Sequence, residues 1–234
     1  MDSASRPVER RALRVPLRFS SSASITLEAD LSLPAACSGI VLFAHGSGSS
    51  RFSPRNRQVA ENLNAAKLAT LLVDLLTPDE EAEDERTREL RFDIAMLADR
   101  LVGLTDWLRS HEQTARLRIG YFGASTGAGA ALVAAAQRPD SVDAVVSRGG
   151  RPDLAGASLE RVRAPTLLIV GGNDGPVIDM NWQAAAALRC EKRLSIVPGA
   201  THLFEEPDAL GAVSTLARDW FKSHLNQPRN NAKE

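Results

Sequence analysis

Residues 116–130, RLRIGYFGASTGAGA, form the most informative stretch of the chain. An apolar run ends at a G-x-S-x-G pattern, Gly123-Ala124-Ser125-Thr126-Gly127, and small residues compatible with a helix follow it. This order predicts a buried strand, a sharp turn and a helix, with Ser125 at the tip of the turn.

A serine on such a turn is a candidate nucleophile, because a strained backbone exposes its hydroxyl. The glycines two positions away avoid a collision with the crowded turn, since they have no side chain. The alternative is a tight glycine turn whose serine only caps a helix. The choice between these interpretations depends on whether partner residues follow in the chain.

Buried strands and helices alternate over most of the sequence. Gly39–Ala44 is continuously apolar, as in a strand that is buried on both faces. We therefore predict an α/β protein with a mostly parallel, doubly wound sheet and helices on both faces. Ala12–Arg18 and Ser24–Leu33 alternate apolar and polar residues, and they predict an antiparallel pair at the N-terminal edge of the sheet. The remaining predicted strands are Ala69–Leu75, the strand before Ser125, Val142–Ser147, Pro165–Val170 and Arg193–Val197.

Three predicted helices are strongly patterned: one from Pro54 to about Lys67, one from about Arg88 to Ser110, and one over about Asp208–His224. A shorter helix is predicted over Trp182–Leu188. The acidic segment Asp79–Glu89 is predicted to be a solvated loop that runs into the second helix.

We expect residues 1–234 to form a single domain, with poorly ordered tails at 1–11 and 226–234. Only residues 148–164 separate two consecutive strands, which is too short for a lid domain over the site.

The composition excludes several classes of function. The formal net charge is −1, so no strong field attracts nucleic acid or an anionic membrane. The two cysteines make neither a disulfide framework nor a metal site, and no cluster has metal-ligand spacing. No apolar run could span a bilayer, and the polar N-terminus does not resemble a secretory signal, so we expect a cytoplasmic protein. The oligomeric state stays open.

A serine nucleophile requires a base and an acid, which follow it in the order Ser, Asp or Glu, His in such a fold. Two histidines follow Ser125. His202 lies in the turn after the last strand and is the predicted base, whereas His224 lies near the end of a helix. Asp174 leaves a buried strand directly and is the predicted acid. Asp179 is a nearby alternative.

The developing oxyanion needs donors that are already in place, usually two backbone N–H groups. We expect one donor from Thr126, directly after the nucleophile. The other is expected from the turn His45–Ser50, HGSGSS, that follows the strand Gly39–Ala44. The glycines of this turn would let its backbone approach a substrate.

With these parts in order, the chain resembles the α/β-hydrolase superfamily, and within it the dienelactone-hydrolase-like branch. The resemblance covers about 12–225 and rests on HGSG at 45–48, GASTG at 123–127, GGND at 171–174 and GATH at 199–202. It implies that Ser125 is the nucleophile, Asp174 the acid and His202 the base, with Ser47 and Thr126 as oxyanion donors. Dienelactone hydrolases proper carry a cysteine nucleophile, and the serine here favours a general esterase.

The predicted function is that of a serine hydrolase, which cleaves a small soluble carboxylic ester, lactone or thioester through an acyl-enzyme without a cofactor. A non-catalytic binding or scaffolding protein on the same fold is the alternative from another class, and a peptidase is a third.

Four arginines near the predicted site are candidates for holding an anionic substrate: Arg51, Arg55, Arg148 and Arg151. The alternative is that they pair with nearby acids such as Asp153 or face water.

Overall fold

The computed structural model describes residues 8–19 and 24–226. Most of the two predicted tails, residues 1–7 and 227–234, therefore lies outside the described residues. The prediction that the N-terminal tail extends to residue 11 is wrong, because the first strand begins at Glu9. Glu9 pairs opposite Leu33 and Arg11 opposite Leu31, so the ladder with the second strand continues to this end.

Within these ranges, eight strands form one sheet in the order β1-β2-β4-β3-β5-β6-β7-β8. Strands β3 to β8 run parallel to one another, whereas β1 and β2 form an antiparallel hairpin next to β4. This confirms the predicted mostly parallel sheet with an antiparallel N-terminal edge. The strands are β1 (Glu9–Arg18), β2 (Ser24–Leu33), β3 (Gly39–Ala44), β4 (Ala69–Val73), β5 (Arg118–Ala124), β6 (Val142–Arg148), β7 (Thr166–Gly171) and β8 (Lys192–Val197).

Helices cover both faces of the sheet, as predicted. Helices α1 and α6 pack on one face, where Leu63 and Phe221 are buried, and α3, α4 and α5 pack on the other, where Leu101 is buried. Burial of one such side chain contributes about 1.5–3 kcal/mol, so the two apolar clusters hold the layers together. The helices are α1 (Pro54–Ala65), α2 (Pro78–Thr87), α3 (Ile94–Ser110), α4 (Thr126–Gln137), α5 (Gly175–Ala187) and α6 (Ala209–Leu225).

The acidic segment is a helix, α2, so the prediction of a loop is wrong. Thr77 caps it: its side chain accepts a hydrogen bond from the Glu80 N–H, and the Glu80 side chain accepts one from the Thr77 N–H. Pro78 occupies the first turn. Such a capping box satisfies two backbone donors at once, and carboxylates in the first turn suit the helix dipole. These local contributions stabilise a helix that has almost no apolar face.

Two further helices, α3 and α5, begin at different residues from those predicted. A short 3-10 segment, Leu90–Phe92, precedes α3, which starts at Ile94 because the Asp93 side chain caps the N–H of Met96. Helix α5 starts at Gly175 rather than at Trp182. As a result, Asp174 stands between the end of β7 and the first turn of α5.

The connection from β6 to β7 contains only 3-10 turns over Pro152–Arg161. This agrees with the prediction that no lid domain is inserted there. In the part of the chain that the structure describes, no helix is long and apolar enough to cross a membrane.

Candidate active site

Ser125 occupies the turn between β5 and α4, with φ 49° and ψ −123°. A non-glycine residue in this region is strained by about 1–3 kcal/mol, which is typical of functional positions. Glycine is required on both sides: a Cβ on Gly123 would lie 2.4 Å from the Cα of Ala128, and one on Gly127 would lie 2.3 Å from the Ala44 carbonyl oxygen. The close approach at Gly127 seats the start of α4 against the end of β3.

The structure brings Asp174 and His202 together with Ser125. His202 Nδ1 lies 2.7 Å from Asp174 Oδ2, and His202 Nε2 lies 3.4 Å from Ser125 Oγ. The loops after β5, β7 and β8 carry the three side chains, because the carboxyl ends of parallel strands share one edge of the sheet. The Asp174 side chain is 13% exposed and that of His202 is 37% exposed, so the histidine remains open to a ligand.

The two alternative residues are placed elsewhere. His224 lies near the end of α6, with its Nε2 3.4 Å from Glu191 Oε2. Asp179 is an exposed residue within α5, and the His202 Nδ1 partner is Asp174.

Glu206 holds the loop that carries His202, a contact that sequence reasoning missed. Its carboxylate accepts hydrogen bonds from the Thr201 N–H at 3.0 Å and from the Thr201 hydroxyl at 2.5 Å. Donation by the Thr201 hydroxyl, more than by the backbone, lowers the pKa of Glu206. No local motif marks this pairing.

His45, the first residue of the HGSGSS turn, was predicted only as part of the turn. Its Nε2 lies 3.0 Å from the Leu75 N–H, and because that N–H can only donate, Nε2 accepts. Nδ1 therefore carries the hydrogen and donates to the Gly46 carbonyl at 3.0 Å. Burial lowers the pKa of His45 and favours this neutral ring, which ties the turn to the end of β4.

The turn lies directly against the nucleophile. A Cβ on Gly46 would be 3.1 Å from the Cβ of Ser125. The N–H of Ser47, the predicted oxyanion donor, donates to the side-chain Oγ1 of Thr126 at 3.0 Å. The N–H of Thr126 lies in the first turn of α4, where helical N–H groups have no partner within the helix.

A cavity of about 150 Å³ opens beside the two predicted donors. The HGSGSS turn and Thr126 form one wall of the cavity, and Leu75, Leu97 and Glu81 contribute to the others. A space of this size accommodates a group about as large as benzene.

Three of the four predicted arginines have carboxylate partners within the protein. Their charges are compensated there, as in the ion-pair alternative, and this argues against the prediction that they hold an anionic substrate. The pairs are Arg51 with Asp74 and Glu28, Arg55 with Glu205, and Arg151 with Asp153.

Arg148 differs from the other three. It is only 6% exposed, and the carboxylates of the described residues make no ion pair with it. Its Nη2 donates to Asn56 Oδ1 at 3.3 Å, while its Nε has no partner in the described part of the chain. Burial, and secondarily the charge of Arg55, lower the pKa of Arg148 to about 10. Arg148 is thus a buried cation at the end of β6 without a carboxylate partner among the described residues. Its backbone carbonyl accepts a hydrogen bond from the Ser125 N–H.

The sheet order and the strand-turn-helix at Ser125 define an α/β-hydrolase fold. Residues 34–226 match the family model described as "Dienelactone hydrolase family". The chain therefore belongs to the dienelactone hydrolase family, and this membership supports a hydrolase activity.

Individual proteins agree with this assignment. The chain is 60% identical to the dienelactone hydrolase from Anabaena variabilis, whose crystal structure superposes with a TM-score of 0.90 over 93% of this chain and 99% of that one. A carboxyl esterase from Tuber melanosporum, at 16% identity and a TM-score of 0.69 over 95% of this chain and 89% of that one, shares the fold alone.

A curated relative from Mycobacterium tuberculosis, named "Putative phosphoribosyl transferase", is 60% identical over 198 residues. The match covers 85% of this chain but 44% of the relative. The chain thus spans less than half the length of these curated relatives.

Proposed function

We propose that this chain is a serine-dependent hydrolase that cleaves a small carboxylic ester, lactone or thioester through an acyl-enzyme. The observation that carries the proposal is the alignment of Ser125 Oγ, His202 and Asp174 at 3.4 and 2.7 Å beside the turn after β3. The membership of the dienelactone hydrolase family supports it.

In this mechanism Ser125 Oγ attacks the substrate carbonyl carbon while His202 Nε2 takes the hydroxyl proton. The distance of 3.4 Å is long for a hydrogen bond, as is common in active sites without substrate, and we expect it to shorten when substrate binds. Asp174 accepts from Nδ1–H, which fixes the ring tautomer and stabilises the imidazolium. The tetrahedral intermediate collapses as His202 protonates the leaving alcohol or thiol. Water, deprotonated by His202, then releases the acid and restores Ser125, so the steps require no cofactor.

The name of the mycobacterial relative suggests phosphoribosyl transfer as a second candidate. That name describes a protein of which this chain matches 44%, so the transferase activity can belong to the part that the chain does not match. Ester hydrolysis remains the first candidate, because the three aligned side chains suit acyl transfer to water.

Covalent labelling tests the proposal directly. An organophosphonate probe should form one adduct, at Ser125, because phosphonates react with a serine that an adjacent histidine activates. Peptide mapping by mass spectrometry locates the adduct, and Ser125→Ala is the control that should not react. Absence of labelling in the wild-type protein, or equal labelling of Ser125→Ala, would favour the non-catalytic scaffold.

We further propose that Arg148 binds an anionic group of the substrate, since it has no compensating carboxylate among the described residues. Arg148→Met should lower kcat/KM for an anionic ester. The expected loss corresponds to about 2–5 kcal/mol of transition-state stabilisation, the range for removal of one partner of a buried charge pair. A neutral ester of equal size should be nearly unaffected. Arg151→Met is the matched control, because Asp153 already pairs with that side chain. Equal losses for both esters would show that Arg148 is structural.

A further inference from the structure

We infer that the side-chain hydroxyl of Thr126, and not the backbone N–H of Ser47, is the second oxyanion donor of this site. The inference rests on the proposed function, because an oxyanion forms only if Ser125 attacks a carbonyl. It replaces the prediction that Ser47 supplies this donor.

The Ser47 N–H already has an acceptor, and contacts on both sides of its peptide group hold it in that orientation. The Gly46 carbonyl accepts from His45 Nδ1 at 3.0 Å and from the Ser49 N–H at 3.2 Å. The carbonyl and N–H of a planar trans peptide are fixed relative to each other, so these bonds also fix the Ser47 N–H. That N–H donates to Thr126 Oγ1 at 3.0 Å. Turning it toward an oxyanion would break three hydrogen bonds.

Thr126 can supply the donor instead. A hydroxyl has one hydrogen and two lone pairs, and one lone pair of Thr126 Oγ1 receives the Ser47 N–H. No acceptor for the hydroxyl hydrogen is found among residues 8–19 and 24–226. Accepting one bond polarises the hydroxyl and strengthens the bond that it donates. Because Thr126 is only 3% exposed, little water competes for that hydrogen.

The location of Thr126 suits this role. It follows Ser125 directly, and its N–H stands at the positive end of α4, where negative charge is stabilised. Its N–H and O–H belong to one residue, and Thr126 also lines the cavity of about 150 Å³, although Ser125 and His202 do not. The hydrogen bond from the Ser47 N–H holds Oγ1 in place, so the hydroxyl is positioned before the reaction begins. Ser47 then acts as a positioning residue, which orients the hydroxyl through its N–H.

The test compares Thr126→Val, which keeps the shape and the backbone N–H, with Thr126→Ser, which keeps the hydroxyl. Thr126→Val should lower kcat by about 10²–10³-fold with little change in KM, the effect of removing one oxyanion donor, while Thr126→Ser stays within about tenfold of wild type. The inhibition constant of a trifluoromethyl ketone, which forms a tetrahedral adduct with Ser125, should rise in proportion in Thr126→Val. Thr126→Ala replaces the valine variant if a thermal unfolding scan shows that the latter is not folded.

The two possible failures give different results. If Thr126→Val keeps wild-type turnover and ketone affinity, the released Ser47 N–H is a sufficient donor and the inference is overturned. Equal losses in Thr126→Val and Thr126→Ser also overturn it, because the hydroxyl would then not be the feature that matters. If the wild-type protein neither hydrolyses esters nor reacts with the phosphonate, the proposed function fails, and the assignment of Thr126 fails with it.

Discussion

Replacement of His202 by alanine is expected to lower kcat for an ester by about 10⁶-fold, the loss that follows removal of the base from a serine triad. The physical reason is the position of Nε2, 3.4 Å from Ser125 Oγ, where it is the group that can take the hydroxyl proton and return it to the leaving group. Stopped-flow or steady-state hydrolysis of an activated ester measures the change. The rate of phosphonate labelling should fall as well, since labelling requires the same proton transfer.

His224→Ala is the matched control for this variant. Its side chain lies near the end of α6, where Nδ1 is 2.8 Å from the Trp220 carbonyl and Nε2 is 3.4 Å from a Glu191 carboxylate oxygen. Loss of these contacts, which do not involve the triad, should leave kcat nearly unchanged. If His224→Ala showed the greater loss, or if His202→Ala kept more than about 1% of the wild-type rate, His202 could not be the general base.

Sequence patterns predicted the sheet because each of its strands carries its own signal. Gly39–Ala44 is buried at all six positions, and such a continuous apolar run indicates a strand covered by helices on both faces. The turn at Ser125 was predictable for a similar reason, since the requirement for Gly123 and Gly127 arises from contacts within a few residues or with the adjoining β3. Local patterns thus determine where the candidate nucleophile, acid and base lie along the chain.

Helix α2 shows where hydrophobic patterning fails. Its sequence is acidic and has no apolar face, so the local feature that indicates a helix is the capping box of Thr77 and Glu80. In the structure Arg100 of α3 also binds the Glu80 carboxylate, at 2.7 Å from Nη1, and adds a tertiary contact that stabilises this helix.

Contacts between distant parts of the chain could not be predicted from the sequence. The Ser47 N–H meets the hydroxyl of a residue 79 positions away, and chain order alone does not orient a peptide group. The partner of Arg55 is equally non-local, because Arg55 pairs with Glu205, 150 positions later, whereas Arg151 pairs with Asp153 only two positions away. Side-chain polarity marks such residues as candidates, but only the fold shows which charges are already compensated.

Asp174→Asn is expected to lower kcat by about 10⁴-fold, by analogy with the corresponding change in a serine protease triad. Asp174 Oδ2 lies 2.7 Å from His202 Nδ1, so the carboxylate holds the hydrogen on Nδ1 and leaves Nε2 free to accept the Ser125 proton. An amide can present its N–H₂ to Nδ1 instead, which places the hydrogen on Nε2 and removes the base. The amide also lacks the charge that stabilises the imidazolium.

Asp179→Asn is the matched control, because it makes the same chemical change on an exposed position of the adjacent helix α5. Its kcat should stay within about threefold of wild type, as expected for a surface carboxylate outside the triad. Steady-state kinetics of both variants with one ester separates the two aspartates, and thermal unfolding verifies that each is folded. A greater loss in Asp179→Asn would move the acid to Asp179 and would require the His202 loop to rearrange in the catalytic state, because in the structure Asp174 is the carboxylate on Nδ1.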